Sequence, residues 1–122
     1  MAVNPMRGEA ELAVGDRTLK LTLDVNSWCL IQPALGMKPM QIVSAFESDP
    51  DDMVVLRGLL WGALQKHHDC HLIEAGEIMA DAGFLPTRSA LTACLAAAFG
   101  TADPEGKEVA DPPEPRRSRG TG

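Results

Sequence analysis

The sequence predicts a single α+β domain, mainly α, in which an N-terminal two-stranded β-hairpin precedes about five short helices. Alternating apolar residues occur near the start of the chain, and apolar residues at helical spacing follow to about residue 100. The 122 residues leave room for one domain. Hydrophobic residues make up 45% of the chain but aromatic residues only 4%, which favours closely packed small helices over a large β-sandwich.

The hairpin is predicted over residues 9–23. Each strand alternates, so its apolar side chains share one face. These residues are Ala10, Leu12 and Val14 in the first strand and Leu19, Leu21 and Leu23 in the second. Gly15-Asp16 between the strands suits a two-residue turn. Because an isolated hairpin is only marginally stable in water, we expect its leucine face to pack against the helices that follow.

The first two helices are predicted from the residues that begin and end them. Asp24 or Asn26 caps the first helix, and Gly36 ends it. Pro33 lies inside this helix and lacks a backbone N–H donor, so we expect it to kink or shorten the helix. Pro39 begins the second helix. The predicted inward-facing residues are Trp28, Ile31 and Leu35, and then Ile42, Val43 and Phe46.

The third helix has the strongest start signal in the chain. Asp49 is the expected cap, and Pro50 is the expected first helical residue. Asp51 and Asp52 then place negative charge near the positive end of the helix dipole. We expect this helix to end near residues 66–68. Its apolar stripe is Leu56, Leu59, Leu60, Ala63 and Leu64.

The fourth helix is predicted over about residues 72–82 with Gly83 as its terminator, and Thr87 is the predicted cap of the fifth. The inward residues of the two helices are Ile78 and Met79, and then Leu91, Cys94, Leu95 and Ala98. Residues 101–122 are rich in Pro, Gly and charged residues. We predict that they form a disordered tail, because such a segment cannot bury enough apolar surface to offset its ordering entropy.

The charge balance argues against nucleic-acid binding, and the absence of long apolar runs argues against membrane association. The formal net charge is -6, and residues 1–100 carry seven basic and twelve acidic residues, or -5. This acidity argues against nucleic acid as a partner, since neutralising phosphates requires a concentrated Lys/Arg surface. No stretch approaches the roughly 18 to 20 apolar residues of a membrane span, and the start lacks the apolar run of a signal peptide. We therefore expect no membrane association and a cytoplasmic location.

The cysteines and the sequence motifs give no support for catalysis. The chain has three cysteines, Cys29, Cys70 and Cys94. Their number is odd and their spacing is not that of a disulfide-rich domain, which indicates reduced thiols. Cys29 and Cys94 lie among apolar residues and are expected to be small buried side chains. The sequence contains no phosphate-binding loop, no Gly-x-Ser-x-Gly and no His-Glu-x-x-His. We therefore predict no catalytic residue and no cofactor.

One cluster contains residue types that bind metals: His67, His68, Cys70 and His71. His67 and His71 are four residues apart and would share a face if the third helix continued through them, and Cys70 is a soft ligand. A second interpretation is that the cluster lies at the C-terminal end of that helix, where histidines favour the dipole and bond to free carbonyls. The sequence shows no second ligand cluster, so we favour the helix end and keep a metal-binding module as an alternative.

Five segments occur together in the order seen in a known family. They are Asn4-Pro5-Met6-Arg7-Gly8-Glu9, the hairpin end Leu19 to Asp24, Ala34-Leu35-Gly36, the run from Leu59 to His68, and the run from Leu72 to Gly83. Their order resembles the small tail assembly proteins of gene transfer agents and siphophage-like prophages, over about residues 4–100. Two positions depart from the family pattern: Pro33 interrupts the first helix, and Cys70-His71 replaces a short turn with Pro or Thr.

The resemblance implies one tail-assembly-type domain over residues 1–100 with no catalytic residue. It implies a non-enzymatic chaperone that holds the tape measure protein soluble and helps tail tube subunits assemble around it. An alternative is that the protein is itself a structural component of the tail. Trp61 is one residue past Leu60, at the edge of the apolar stripe of the third helix, so we expect it to be partly exposed. This side chain and adaptable methionines would contact helical segments of these partners. The candidates are Trp61, Met37, Met40, Met53 and Met79.

Overall fold

A computed structural model describes residues 8–49 and 51–99, and within them a β-hairpin precedes five helices. The elements are β1 (Glu9–Val14), β2 (Arg17–Thr22), α1 (Val25–Leu35), α2 (Pro39–Ser48), α3 (Met53–Leu64), α4 (Leu72–Ala82) and α5 (Phe84–Phe99). The predicted fold class, α+β and mainly α, is confirmed. The predicted disordered tail, residues 101–122, lies outside the described residues.

The hairpin has the predicted turn and the predicted buried face. β1 and β2 pair antiparallel, and Val14 faces Arg17 across the two-residue turn. Gly15 has a φ of 63°, a left-handed conformation that glycine adopts at no steric cost. The alternating apolar residues of both strands are buried, namely Ala10, Leu12, Val14, Leu19 and Leu21, and so is Leu23 directly after β2. α5 packs against β1 and α3 against β2, so the helices cover the leucine face as expected.

α3 lies at the centre of the domain and contacts α1, α4 and the hairpin. α1 approaches it closely at two glycines. A Cβ atom placed on Gly62 would overlap the side chain of Ile31, and one placed on Gly58 would lie 2.8 Å from Cδ2 of Leu35. These glycines therefore allow the two helices to pack at a distance that larger residues would prevent.

The predicted start of α3 is wrong by three residues. The helix begins at Met53, and its cap is Asp52, whose Oδ1 accepts hydrogen bonds from the N–H groups of Val54 (3.1 Å) and Val55 (3.2 Å). Asp49 instead ends α2, because its N–H donates to the carbonyl of Ala45. Asp49 and Asp52 both have side chains suited to an N-cap. Because α2 extends to Ser48, Asp49 is taken up in its C-terminal end and Asp52 caps α3.

The predicted cap of α5 is also wrong. The helix begins at Phe84, and Thr87 is fully buried inside its first turn, where its Oγ1 donates to the carbonyl of Gly83 at 2.8 Å. Pro86 is tolerated so early because the first N–H groups of a helix have no partner within the helix. Gly83, with a φ of 100°, therefore connects α4 directly to α5.

α1 begins at one of the two predicted caps and does not end at its proline. Oδ1 of Asp24 accepts from the Ser27 N–H at 2.9 Å, while Ser27 Oγ accepts from the Asp24 N–H at 3.3 Å. The helix continues past Pro33 to Leu35 and ends at Gly36 as predicted, so of the two effects expected of Pro33, a kink or a shorter helix, the shorter helix is wrong. Pro33 lies in the last turn on the exposed side, where the carbonyl that it leaves without a donor can be hydrated.

Candidate partner-binding surfaces

Trp61 is held in place by the connector between α3 and α4. Its side chain is half-buried, and its Nε1 donates to the carbonyl of Cys70 at 3.0 Å. Nε2 of Gln65 donates to the Trp61 carbonyl at 2.7 Å, and the Cys70 N–H donates to Oε1 of Gln65 at 3.4 Å. The prediction that Trp61 is partly exposed is confirmed. Its polar atom is already used inside the chain, so a partner could contact only part of the ring.

The four candidate methionines divide into two pairs. Met40 and Met53 are exposed, with 64% and 52% of their surface accessible. Met37 and Met79 are half-buried and pack against the core. Met40 lies in the first turn of α2 and Met53 is the first residue of α3, so the exposed pair is on helix ends rather than along one helix face.

The histidine cluster forms the end of α3 and the connector that follows. α3 ends at Leu64, and the N–H groups of His67 (3.1 Å) and His68 (2.7 Å) donate to its carbonyl. His71 precedes the first residue of α4, so His67 and His71 do not share a helix face. In the part of the chain that the structure describes, no group of three or more His, Cys, Asp or Glu residues is placed to hold a metal ion. The geometry matches the helix-end interpretation of the cluster.

The three cysteines have different environments. Cys94 is fully buried as predicted, and burial raises the pKa of its thiol to about 12. Burial also raises the pKa of Cys70, which outweighs the opposite effect of its contact with Gln65. Cys29 is exposed, so its predicted burial is wrong. α1 turns Ile31 towards α3, and Cys29 lies two positions away on the other side of the helix.

A groove of about 430 Å³ lies at the open end of the hairpin. We call it the hairpin groove. Its lining comes from β1, β2, the start of α1, the end of α5 and the residues that follow α3. These residues are Glu9, Thr22, Leu23, Asp24, Val25, Trp28, Lys66, Ala98 and Phe99. The rings of Trp28 and Phe99 form an aromatic wall, with centroids 5.5 Å apart and planes tilted by 59°. No local sequence pattern predicts this groove, because its lining residues are up to 90 positions apart in the chain.

The charged residues of the groove include an ion pair. Nζ of Lys66 lies 3.8 Å from Oδ2 of Asp24, and both side chains remain partly exposed. Partial burial by itself raises the pKa of Asp24. The hydrogen bonds from Ser27 and the charge of Lys66 outweigh that effect, so the pKa of Asp24 lies below its ordinary value. Asp24 is therefore ionised near neutral pH, as both an N-cap and the partner of Lys66.

An uncharged helix face begins at the groove. α1 contains no Asp, Glu, Lys or Arg. Its exposed residues are Val25, Asn26, Cys29, Leu30, Pro33 and Ala34. We call these six residues the outer face of α1. Val25 is 76% exposed and belongs to both the outer face and the lining of the groove, so the two apolar surfaces are continuous.

Comparisons with protein-family models, with curated proteins and with solved structures find no match. Among the described residues, no single helix has the length and apolar character needed to cross a membrane. α4 and α5 taken together reach that length and composition, but they bend by 113° where they join.

Proposed function

We propose that this protein is a non-enzymatic assembly factor for a phage-type tail. It acts as a chaperone that binds the tape measure protein, the tail tube subunits or both, in the cytoplasm of the bacterial host cell. The observation that carries this proposal is the order of the five sequence segments over residues 4–100, which resembles tail assembly proteins of gene transfer agents and siphophage-like prophages.

The surface of the domain supports a role in binding apolar segments. Large apolar side chains on several helices are exposed, including Val25, Met40, Ile73 and Leu85. On the outer face of α1, Val25, Cys29 and Pro33 follow one another at intervals of four residues, so these exposed side chains adjoin, and contiguous exposed apolar surface on a small protein often marks an interaction site. The net charge of the chain, -6, helps to keep such a protein soluble while these side chains are uncovered.

Co-purification tests the proposal. The tagged full-length chain is co-expressed with the tape measure protein and with the tail tube protein encoded in the same genome, and captured complexes are quantified. We expect at least one of the two to be captured in near-stoichiometric amount, and the major capsid protein of the same genome serves as the control. Capture of neither tail protein, or equal capture of the capsid protein, would remove the chaperone role.

A structural role in the tail is a second candidate, because one feature of the fold favours it. Among the described residues, the sheet has two strands, so each strand has one edge that pairs with no other strand. Such an edge can pair with a strand of a neighbouring subunit. Quantitative mass spectrometry of purified particles separates the two roles: a chaperone is absent from them, whereas a tail component is present in many copies.

A further inference from the structure

We draw no further inference here: the strongest candidate, the hairpin groove with the adjoining outer face of α1, is an unpartnered apolar surface, and nothing in the described part of the structure shows what covers it.

Discussion

The two faces of α1 have similar composition, but one is buried in the core and the other is exposed. On the inner face, Ile31 is fully buried and Trp28 nearly so, and the helix packs onto Gly58 and Gly62 of α3. On the outer face, Val25 is 76% exposed and Leu30 is 41% exposed. Both faces are mostly apolar, with Asn26 on the outer face and Ser27 on the inner one, and neither carries a charge.

The difference shows that stability and binding use the same kind of residue on opposite sides of one helix. Burying apolar surface stabilises the fold by about 25 cal/mol per Å², so the inner face contributes to stability. The outer face contributes little to stability while it is exposed to water. Burying its apolar side chains against another protein would release free energy that can contribute to association. The contact with α3 determines which face of α1 is buried, because Gly62 and Gly58 leave room for the side chains of Ile31 and Leu35.

The largest effect is expected from truncating the inner face. Ile31→Ala removes a fully buried side chain that packs over Gly62, so the free energy of unfolding should fall by about 3 to 4 kcal/mol. Leu30→Ala, at the adjacent position on the outer face, should cost less than about 1 kcal/mol. Urea unfolding followed by circular dichroism measures both changes. Equal losses would contradict the division of α1 into two faces.

The glycine contact gives the next largest effect. Gly62→Ala should lower the free energy of unfolding by about 2 kcal/mol, because its Cβ would overlap Ile31, although alanine is the better helix former. Gly76→Ala in α4 is the control. Its Cβ would lie 3.1 Å from the flexible Cδ of Arg57, so this variant should be as stable as the wild type or slightly more stable. The same unfolding assay compares them, and a tolerated Gly62→Ala would mean that the helices can separate at little cost.

The cap that α1 shares with the groove should have a smaller effect. Asp24→Ala removes the acceptor for the Ser27 N–H and should cost about 1 kcal/mol at neutral pH. Asp24→Asn is the control, because it retains a good capping side chain and removes only the charge. Unfolding at pH 7 measures both, and a cost for Asp24→Ala no larger than that for Asp24→Asn would show that the cap bond contributes little.

The pH dependence of the Asp24 contribution has a defined sign. The pKa of Asp24 is lower in the folded protein than the value of about 3.9 for an unfolded chain. Its ionised form therefore stabilises the fold above that value, and the contribution is lost as the pH falls through the folded pKa. The stability difference between the wild type and Asp24→Asn should shrink as the pH falls from neutral through the lowered pKa of Asp24. A constant difference would exclude the charge of Asp24 as its source.

The smallest energetic effect is expected at Cys29 on the outer face. Cys29→Ala should change the free energy of unfolding by no more than about 0.5 kcal/mol, because the side chain is exposed.

In the native protein, Cys29 should be the first of the three cysteines to react with a maleimide. Cys94 should react last, since it is fully buried and its thiol has a pKa of about 12. Mass spectrometry of timed digests gives this order, and early labelling of Cys94 would show that α5 opens readily from the hairpin.

Much of the fold could be predicted from local patterns. The alternation of Leu19, Leu21 and Leu23 and the Gly15-Asp16 turn predicted the hairpin, and the structure confirms both. The starts of α3 and α5 could not be predicted to the residue. Asp49 and Asp52 are equally suitable caps by residue type, and Thr87 resembles a cap although the helix has already begun at Phe84.

The candidate site was less predictable than the fold. Trp61 was expected to be partly exposed and is, but its hydrogen bond to the Cys70 carbonyl depends on the path of the connector. The histidines were correctly expected near the end of α3, where the N–H groups of His67 and His68 bond to Leu64. The hairpin groove was missed, since Thr22 and Phe99 become neighbours only when α5 packs against the hairpin.

The sequence alone therefore determined the order and type of the elements, because turn chemistry and hydrophobic periodicity act between residues close in the chain. Tertiary structure decided which of two apolar faces became core and which stayed exposed. Cys29 and Ile31 are both apolar residues of one helix, but Ile31 faces α3, where Gly62 leaves room for its side chain, and Cys29 lies on the exposed side. Burial depends on the shape of the surface that a residue meets, and residues distant in the sequence supply that surface.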